Sequence, residues 1–157
     1  MKGSAIARLN TSTLWLNSHF LDLEGKLMTT EEVVRKAIQS YKSGDAETVS
    51  SLLHDEIRYC IHANAETGPY CADCCGTNAF WETIGRIQAD WSIDDYRLTD
   101  IIVSGERAAT QIGVTITSRH TGATRETELA LFWTVKDGCV VELHEYHDTA
   151  AAARAKG

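Results

Sequence analysis

The sequence predicts an α+β fold in which a curved antiparallel sheet wraps around three helices. Three observations support this class. Apolar residues with helical spacing begin at Val33, strand-like alternation dominates residues 96–147, and Asp137-Gly138 between two alternating runs marks a β-hairpin. The chain has 157 residues, of which 43% are hydrophobic, and this is enough for one domain with its own core.

The first helix is predicted to begin near Glu31 and to end before Gly44, because apolar residues at 33, 34, 37, 38 and 41 recur with helical spacing. Thr29 and Glu32 have the spacing of a capping box at its start. Asp45 is expected to cap a second, shorter helix that continues to residue 53.

A third helix is predicted after a loop that contains Gly68-Pro69 and three cysteines. Thr77 or Asn78 is expected to cap it. Its broad apolar face comprises Phe80, Trp81, Ile84, Ile87 and Trp91.

The strands are identified by alternation of apolar and polar residues. The first contains Ile57, Tyr59 and Ile61 and lies between the second and third helices. Four more are predicted over residues 96–103, 108–118, 126–135 and 139–147, separated by turns at Ser104-Gly105, Thr121-Gly122 and Asp137-Gly138.

Residues 1–27 differ from the rest and are interpreted as an N-terminal extension, with residues 28–157 as the domain. Apolar residues between 14 and 23 predict a short docked helix ending at Gly25. The net charge of −7 and the lack of a basic run argue against nucleic-acid binding, and no apolar stretch approaches the length of a membrane span. Five cysteines, an odd number, favour a reducing cytoplasm.

The element order and the segment from Asp137 to Asp148, sequence DGCVVELHEYHD, resemble the SnoaL-like branch of the nuclear transport factor 2-like (NTF2-like) superfamily. Thr117, His120 and Gly122 are similar to a Thr-x-x-His-x-Gly motif of many members. The resemblance covers about residues 29–150. It implies a cone-shaped α+β barrel, NTF2-like or cystatin-like, whose open end forms a mostly apolar pocket.

The resemblance also implies functional residues. Asp148 matches a strand-end aspartate that acts as acid or base in polyketide cyclase and epoxide hydrolase members. His62 lies near the position at which ketosteroid isomerase-like members carry a catalytic carboxylate. The chain differs from the epoxide hydrolases at Gly113-Val114-Thr115, where those enzymes have an Arg-x-Asp, and lacks a cyclase histidine near residues 132–134.

Strand alternation places Glu142, His144, Tyr146 and Asp148 on one face of the last strand and Leu143, Glu145 and His147 on the other. If the first set lines the pocket, desolvation makes Asp148 a general acid or base near neutral pH. With Asp148 and His62 as catalytic candidates, the expected pocket residues are Tyr59, Tyr146, His144, Trp81 and Phe132.

Structural alternatives exist for each candidate. Asp148 can cap the strand end or pair with a surface cation, His62 can be a half-exposed strand residue bonded to a loop carbonyl, and Tyr59 and Tyr146 can be core side chains. Cys71, Cys74 and Cys75 form a C-x-x-C-C cluster that supplies two ligands at zinc spacing, without a second such pair. We therefore expect reduced thiols, no metal and no cofactor.

Two functional hypotheses follow. The first is a cofactor-independent acid–base enzyme, of isomerase, cyclase or hydrolase type, that acts on a small hydrophobic molecule. The second is a non-catalytic ligand-binding or dimeric interaction module. A homodimer is expected in either case, because Leu129, Leu131 and Trp133 alternate with Ala130 and Phe132, so that both faces of this strand need apolar cover.

Overall fold

A computed structural model describes residues 25–63, 70 and 72–149. Its elements, in chain order, are α1 (Thr30–Ser43), α2 (Ala46–Leu52), β1 (Leu53–Ile61), β2 (Ala72–Cys75), α3 (Thr77–Asp90), β3 (Trp91–Ser104), β4 (Arg107–Ser118), β5 (Thr124–Lys136) and β6 (Cys139–His147). The helix predicted within residues 1–27 falls outside the described residues. No described helix is long and apolar enough to cross a membrane.

The predicted α+β class is confirmed, with a curved sheet that does not close into a barrel. The described strands form one sheet in the order β2-β1-β6-β5-β4-β3, which leaves β2 and β3 at its edges. Two features differ from the prediction. β1 pairs with β6 in parallel, so the sheet is mixed rather than antiparallel, and β2 is an additional short strand within the predicted cysteine loop.

The helix ends match the predicted signals at α1 and α2 but not at α3. The Thr29 side chain accepts a hydrogen bond from the Glu32 amide while the Glu32 side chain accepts one from the Thr29 amide. Asp45 caps α2 by accepting from the Thr48 amide. At α3, Gly76 is the N-cap, with no side-chain cap hydrogen bond.

Replacement of Thr29 by Ala should lower the free energy of unfolding by about 1 kcal/mol, because it removes an acceptor for an otherwise unpaired helix amide. Urea denaturation of the folded domain measures this. The control is Arg35→Ala, which removes an exposed ion pair with Glu31 outside the first turn and should cost about 0.3–0.5 kcal/mol. Equal losses in both variants would contradict the capping assignment.

The core lies between the helices and the concave face of the sheet. Val33, Val34 and Leu52 from the first two helices are fully buried against Ile57 of β1 and Ile112 of β4. The Asp137-Gly138 turn between β5 and β6 has positive φ at both residues, 50° and 80°, as a type I′ hairpin requires. This turn pairs Cys139 and Val140 at the start of β6 with the end of β5. The rest of β6 carries the polar residues described next.

Candidate functional site

The concave side of the sheet forms a partly open cavity of about 190 Å³ with a mostly apolar wall. Aliphatic and aromatic side chains from helices and strands form that wall: Ala37, Val49, Leu53, Phe80, Ile84, Ile87, Trp91, Ile93, Val114, Ile116, Leu129, Leu131, Trp133 and Leu143. The polar residues that line it are Tyr41, Tyr59, Tyr70, Tyr96, Arg125, Thr127, Glu145, His147 and Asp148.

Glu145 is the deep carboxyl group of this cavity. It lies on β6 opposite Leu131, and the Tyr59 hydroxyl donates a 2.8 Å hydrogen bond to its Oε2 atom. Burial raises the pKa of Glu145, and the hydrogen bond from Tyr59 opposes part of that rise. Glu145 is therefore a carboxyl group that holds its proton to higher pH than an ordinary glutamate.

His147 lies one position further along the same face of β6, opposite Leu129. Its Nδ1 atom is 3.7 Å from Oε1 of Glu145 and, within the described part of the chain, is a buried atom without a hydrogen-bond partner. Glu145 and His147 each retain 15% of their side-chain surface. Because Nδ1 is itself inaccessible, the accessible surface of His147 belongs to its other atoms.

The environment of His147 shifts it toward the neutral form. Burial lowers the pKa of His147, and the negative charge of Asp148 opposes this shift. The raised pKa of Glu145 and the lowered pKa of His147 each favour the uncharged form of the side chain. This is expected in a low-dielectric cavity. A carboxyl–imidazole pair in such an environment can take up and release a proton within the cavity.

Three tyrosines complete the inner polar end of the cavity. Burial and the negative charge of Glu145 raise the pKa of Tyr41 to about 12 and raise those of Tyr59 and Tyr96 well above the usual value. Tyr59 is only 1% exposed, and the rings of Tyr41 and Tyr96 pack edge to face at 5.0 Å. These hydroxyls therefore remain protonated and are hydrogen-bond donors at physiological pH.

A second set of polar groups lies where α3 meets β3. The Tyr70 hydroxyl donates to Asp90 at 2.5 Å and accepts a 2.9 Å hydrogen bond from the Trp91 indole. Asp90 is also 3.0 Å from Nε2 of His120, and the Arg125 guanidinium lies 5.2 Å from the centre of the Trp91 ring. Since Tyr70, Trp91 and Arg125 line the cavity, this set forms part of its polar lining.

Of the residues expected to form the site, Tyr59 and Asp148 line the cavity. Asp148 follows the end of β6 and is exposed, so it lies at the cavity rim. The acid–base role expected for it remains a hypothesis.

Four others lie on the outer face of the sheet, contrary to the predicted placement: His62, His144, Tyr146 and Phe132. The His62 ring stacks on Tyr146 at 4.3 Å, and its Nε2 atom is 2.7 Å from Nδ1 of His144. Phe132 and Tyr146 are 42% and 44% exposed. Trp81 also lies outside the cavity lining, and its indole donates to Ser50 of α2.

A β-bulge explains the reversed face of β6. Thr134 pairs with Glu142 whereas Val135 pairs with Val140, so Val141 is an extra residue opposite β5. Alternation from the buried Val140 therefore changes phase, and Leu143 rather than Glu142 points inward. The sequence signal for this change is the apolar Leu143 three residues after Val140.

The cysteine segment does not form a recognisable metal site in the described residues. Cys74 and Cys75 are free thiols on opposite faces of β2, and Cys71 lies outside the described residues. Within the described ranges, no group of three or more His, Cys, Asp or Glu side chains is arranged to hold a metal ion.

Comparisons with known proteins agree with this architecture. An NTF2-like protein from Burkholderia thailandensis has a TM-score of 0.75 at 18% identity, over 83% of this chain and 99% of that one. A proposed isomerase from Rhodopseudomonas palustris has a TM-score of 0.64 at 18% identity, over 78% and 93%. TerC, co-crystallised with polyporic acid, has a TM-score of 0.71 at 17% identity, over 78% and 93%.

No curated protein sequence matches the chain. A family model, described as SnoaL-like domain, matches residues 34–143. The matched segment includes Tyr59 and ends before Glu145 and His147, so the match establishes the family without covering the carboxyl–imidazole pair. With more than half of its length matched, the chain belongs to the SnoaL-like domain family of the NTF2-like superfamily.

Proposed function

We propose that the cavity binds a small, mostly hydrophobic molecule and that His147, supported by Glu145, transfers protons on it without a cofactor. The observation that carries this proposal is the carboxyl–imidazole pair in the wall of an apolar cavity, with 3.7 Å between Oε1 and Nδ1. This distance exceeds a hydrogen bond, but such contacts commonly shorten when a ligand occupies an active site.

The positions of the atoms assign different roles to His147 and Glu145. Nδ1 of His147 faces Glu145, which leaves Nε2 as the ring atom able to accept a proton from a bound molecule. Glu145, once ionised, compensates the positive charge of the protonated imidazole inside the cavity. Glu145 is thus a positioning residue, and Tyr59 holds its carboxyl group through Oε2.

Asp148 has a supporting role in this proposal. Its exposed carboxylate lies at the rim of the cavity, next to His147 in sequence. Its negative charge increases the proton affinity of the imidazole, and from the rim it can exchange protons with solvent. The acid–base function expected of Asp148 is therefore proposed here as a proton relay to His147.

Isomerisation of 3-cyclohexenone to 2-cyclohexenone tests the proposal. A base removes a proton from the carbon between the carbonyl group and the double bond, the dienolate oxygen carries the negative charge, and the proton returns to the far end of the dienolate. No oxidant or cofactor takes part. The conjugated product is followed by its ultraviolet absorbance, in the same buffer with and without the protein.

The protein is expected to accelerate this reaction above buffer, and the acceleration should saturate with substrate. A rate equal to buffer over the whole range of substrate concentrations would exclude the catalytic role and leave ligand binding as the function. Variant His62→Gln should retain the acceleration, because His62 lies on the opposite face of the sheet.

A second part of the proposal is a homodimer that covers the outer face of the sheet. Phe132 and Tyr146 pack edge to face there at 5.7 Å and are both largely exposed. Exposed aromatic side chains that touch one another are typical of protein interfaces. A second copy of the same surface would cover both rings through a two-fold axis.

Sedimentation velocity at micromolar concentration should therefore give the mass of a dimer. Phe132→Lys should shift the protein toward monomer, because it places a charge in the centre of the contact. Val103→Lys is the matched control, since Val103 is an exposed apolar residue on β3. Its pairing with Ala108, and of Ala108 with Trp133, places it on the opposite face of the sheet. A wild-type protein that sediments only as monomer would contradict the dimer.

A further inference from the structure

We infer that the ligand of this cavity is an uncharged, single-ring molecule that carries one hydroxyl or carbonyl group, with its oxygen at the end formed by Glu145, His147 and Tyr96. This inference rests on the proposed function in one respect only, namely that the cavity is the binding site. Size, wall chemistry and charge support it separately.

The volume limits the ligand to about one ring. An apolar protein cavity of about 150 Å³ holds benzene, and this cavity measures about 190 Å³. The difference accommodates one or two small substituents on a six-membered ring. A fused three-ring system exceeds this volume, so part of it would project through the open side of the cavity into solvent.

The wall requires a ligand that is apolar over most of its surface. Phe80 and Leu131 are buried side chains that contribute to it, together with Trp133 of β5 and Val114 of β4. A polar group placed against these side chains would lose its hydrogen bonds to water without replacement. The polar part of the ligand must therefore lie near Glu145 and His147.

The contacts at this polar end favour an uncharged group. Oε2 of Glu145 accepts the hydrogen bond from Tyr59, and Oε1 faces His147. A ligand carboxylate would lie beside this buried carboxyl group. Arg125, the one cation among the described lining residues, packs over Trp91 instead.

A ligand ammonium group is also disfavoured at this end. Both oxygens of Glu145 already face protein groups, so an ammonium would give up its water shell for an incomplete set of acceptors. An uncharged hydroxyl or carbonyl group avoids this desolvation cost. It can accept from a tyrosine such as Tyr96, and a hydroxyl can also donate to the neutral imidazole of His147.

A set of similar-sized compounds tests the inference by isothermal titration calorimetry of the wild-type protein. The probes are 4-methylphenol, toluene, benzoate and benzylammonium, with 2-anthrol as the three-ring analogue. We expect 4-methylphenol to bind at least about tenfold more tightly than either charged compound. 2-Anthrol should bind more weakly than 4-methylphenol, because part of it would remain outside the cavity.

Two variants test whether the oxygen of the ligand lies at His147. His147→Leu keeps an apolar side chain of similar size and removes the hydrogen-bonding ring, so the preference for 4-methylphenol over toluene should fall about tenfold. His62→Leu makes the same change on the outer face and should leave the preference unaltered.

The outcomes separate this inference from the catalytic proposal. Benzoate or benzylammonium binding as tightly as 4-methylphenol would overturn the inference, as would equal binding of 2-anthrol or no binding by any probe. If 4-methylphenol is preferred but 3-cyclohexenone is not isomerised, the ligand class stands and catalysis fails. If 3-cyclohexenone is isomerised but benzoate is preferred, catalysis stands and the inferred ligand class fails.

Discussion

Replacing His147 by Gln should reduce the isomerisation of 3-cyclohexenone by about 10²–10⁴-fold, the usual contribution of a positioned general acid or base. Glutamine has a similar polar end but cannot take up a proton at neutral pH. The loss is expected mainly in kcat, because the apolar wall that binds the ring is unchanged. The measurement is the initial rate as a function of substrate concentration.

The pH dependence gives an independent check of the same assignment. Burial lowers the pKa of His147, so the neutral imidazole persists to lower pH than that of an exposed histidine. We therefore expect the wild-type rate to decline only below the usual histidine range. In the Gln variant this acidic limb should disappear from the residual rate.

The outer-face histidines provide the matched control. His62→Gln and His144→Gln make the same chemical change within the His62–His144–Tyr146 ring stack, on the opposite side of the sheet. Both variants should keep at least about half of the wild-type rate, since they do not touch the proton-transfer pair. A loss as large as that of His147→Gln in either variant would place the chemistry on the outer face.

The fold was predictable where short-range rules act alone. The Thr29 and Glu32 capping box depends only on residues three positions apart, and the Asp137-Gly138 turn only on two residues with positive φ. Both were predicted correctly. β2 was not, because its four residues owe their extended conformation to pairing with β1, a contact across the cysteine loop.

The residues of the candidate site were predicted only in part. The last strand was expected to supply His144, Tyr146 and Asp148, whereas Glu145, His147 and Asp148 are its residues in the cavity lining. The alternation correctly separated the two faces, but the choice of the inward one followed the resemblance at Asp148. The extra residue at Val141 instead turns Leu143, Glu145 and His147 inward. Such a bulge depends on pairing with β5, which local alternation cannot reveal, whereas the buried pair Val140 and Leu143 is its visible trace.

Glu145→Gln should stabilise the protein at about pH 8 by about 1–3 kcal/mol, the typical cost of a buried polar group without full compensation. The pKa of Glu145 is raised above its ordinary value of 4.5. The unfolded chain therefore releases this proton at lower pH than the folded one, and folding stability falls as pH rises through the interval between the two pKa values. Glutamine removes this loss and still accepts the hydrogen bond from Tyr59.

The difference between variant and wild type should vanish at about pH 4, where the carboxyl group is protonated in both states. Urea denaturation at the two pH values measures it. His147 lies 3.7 Å from Glu145 and its titration is coupled to that of Glu145, so the same comparison is repeated in the His147→Gln background. At about pH 8, the gain corresponds to a rise of several degrees in Tm for a domain of this size.

Glu142→Gln is the control with the opposite sign. Its side chain lies on the outer face of the same strand, where hydrogen bonding to His144 lowers its pKa. The ionised form is the stabilised one there, so glutamine should leave stability unchanged or reduce it slightly at about pH 8. If Glu145→Gln instead loses stability at about pH 8, its carboxylate is compensated in the fold, and the low-dielectric pair on which the proposed proton transfer depends does not exist.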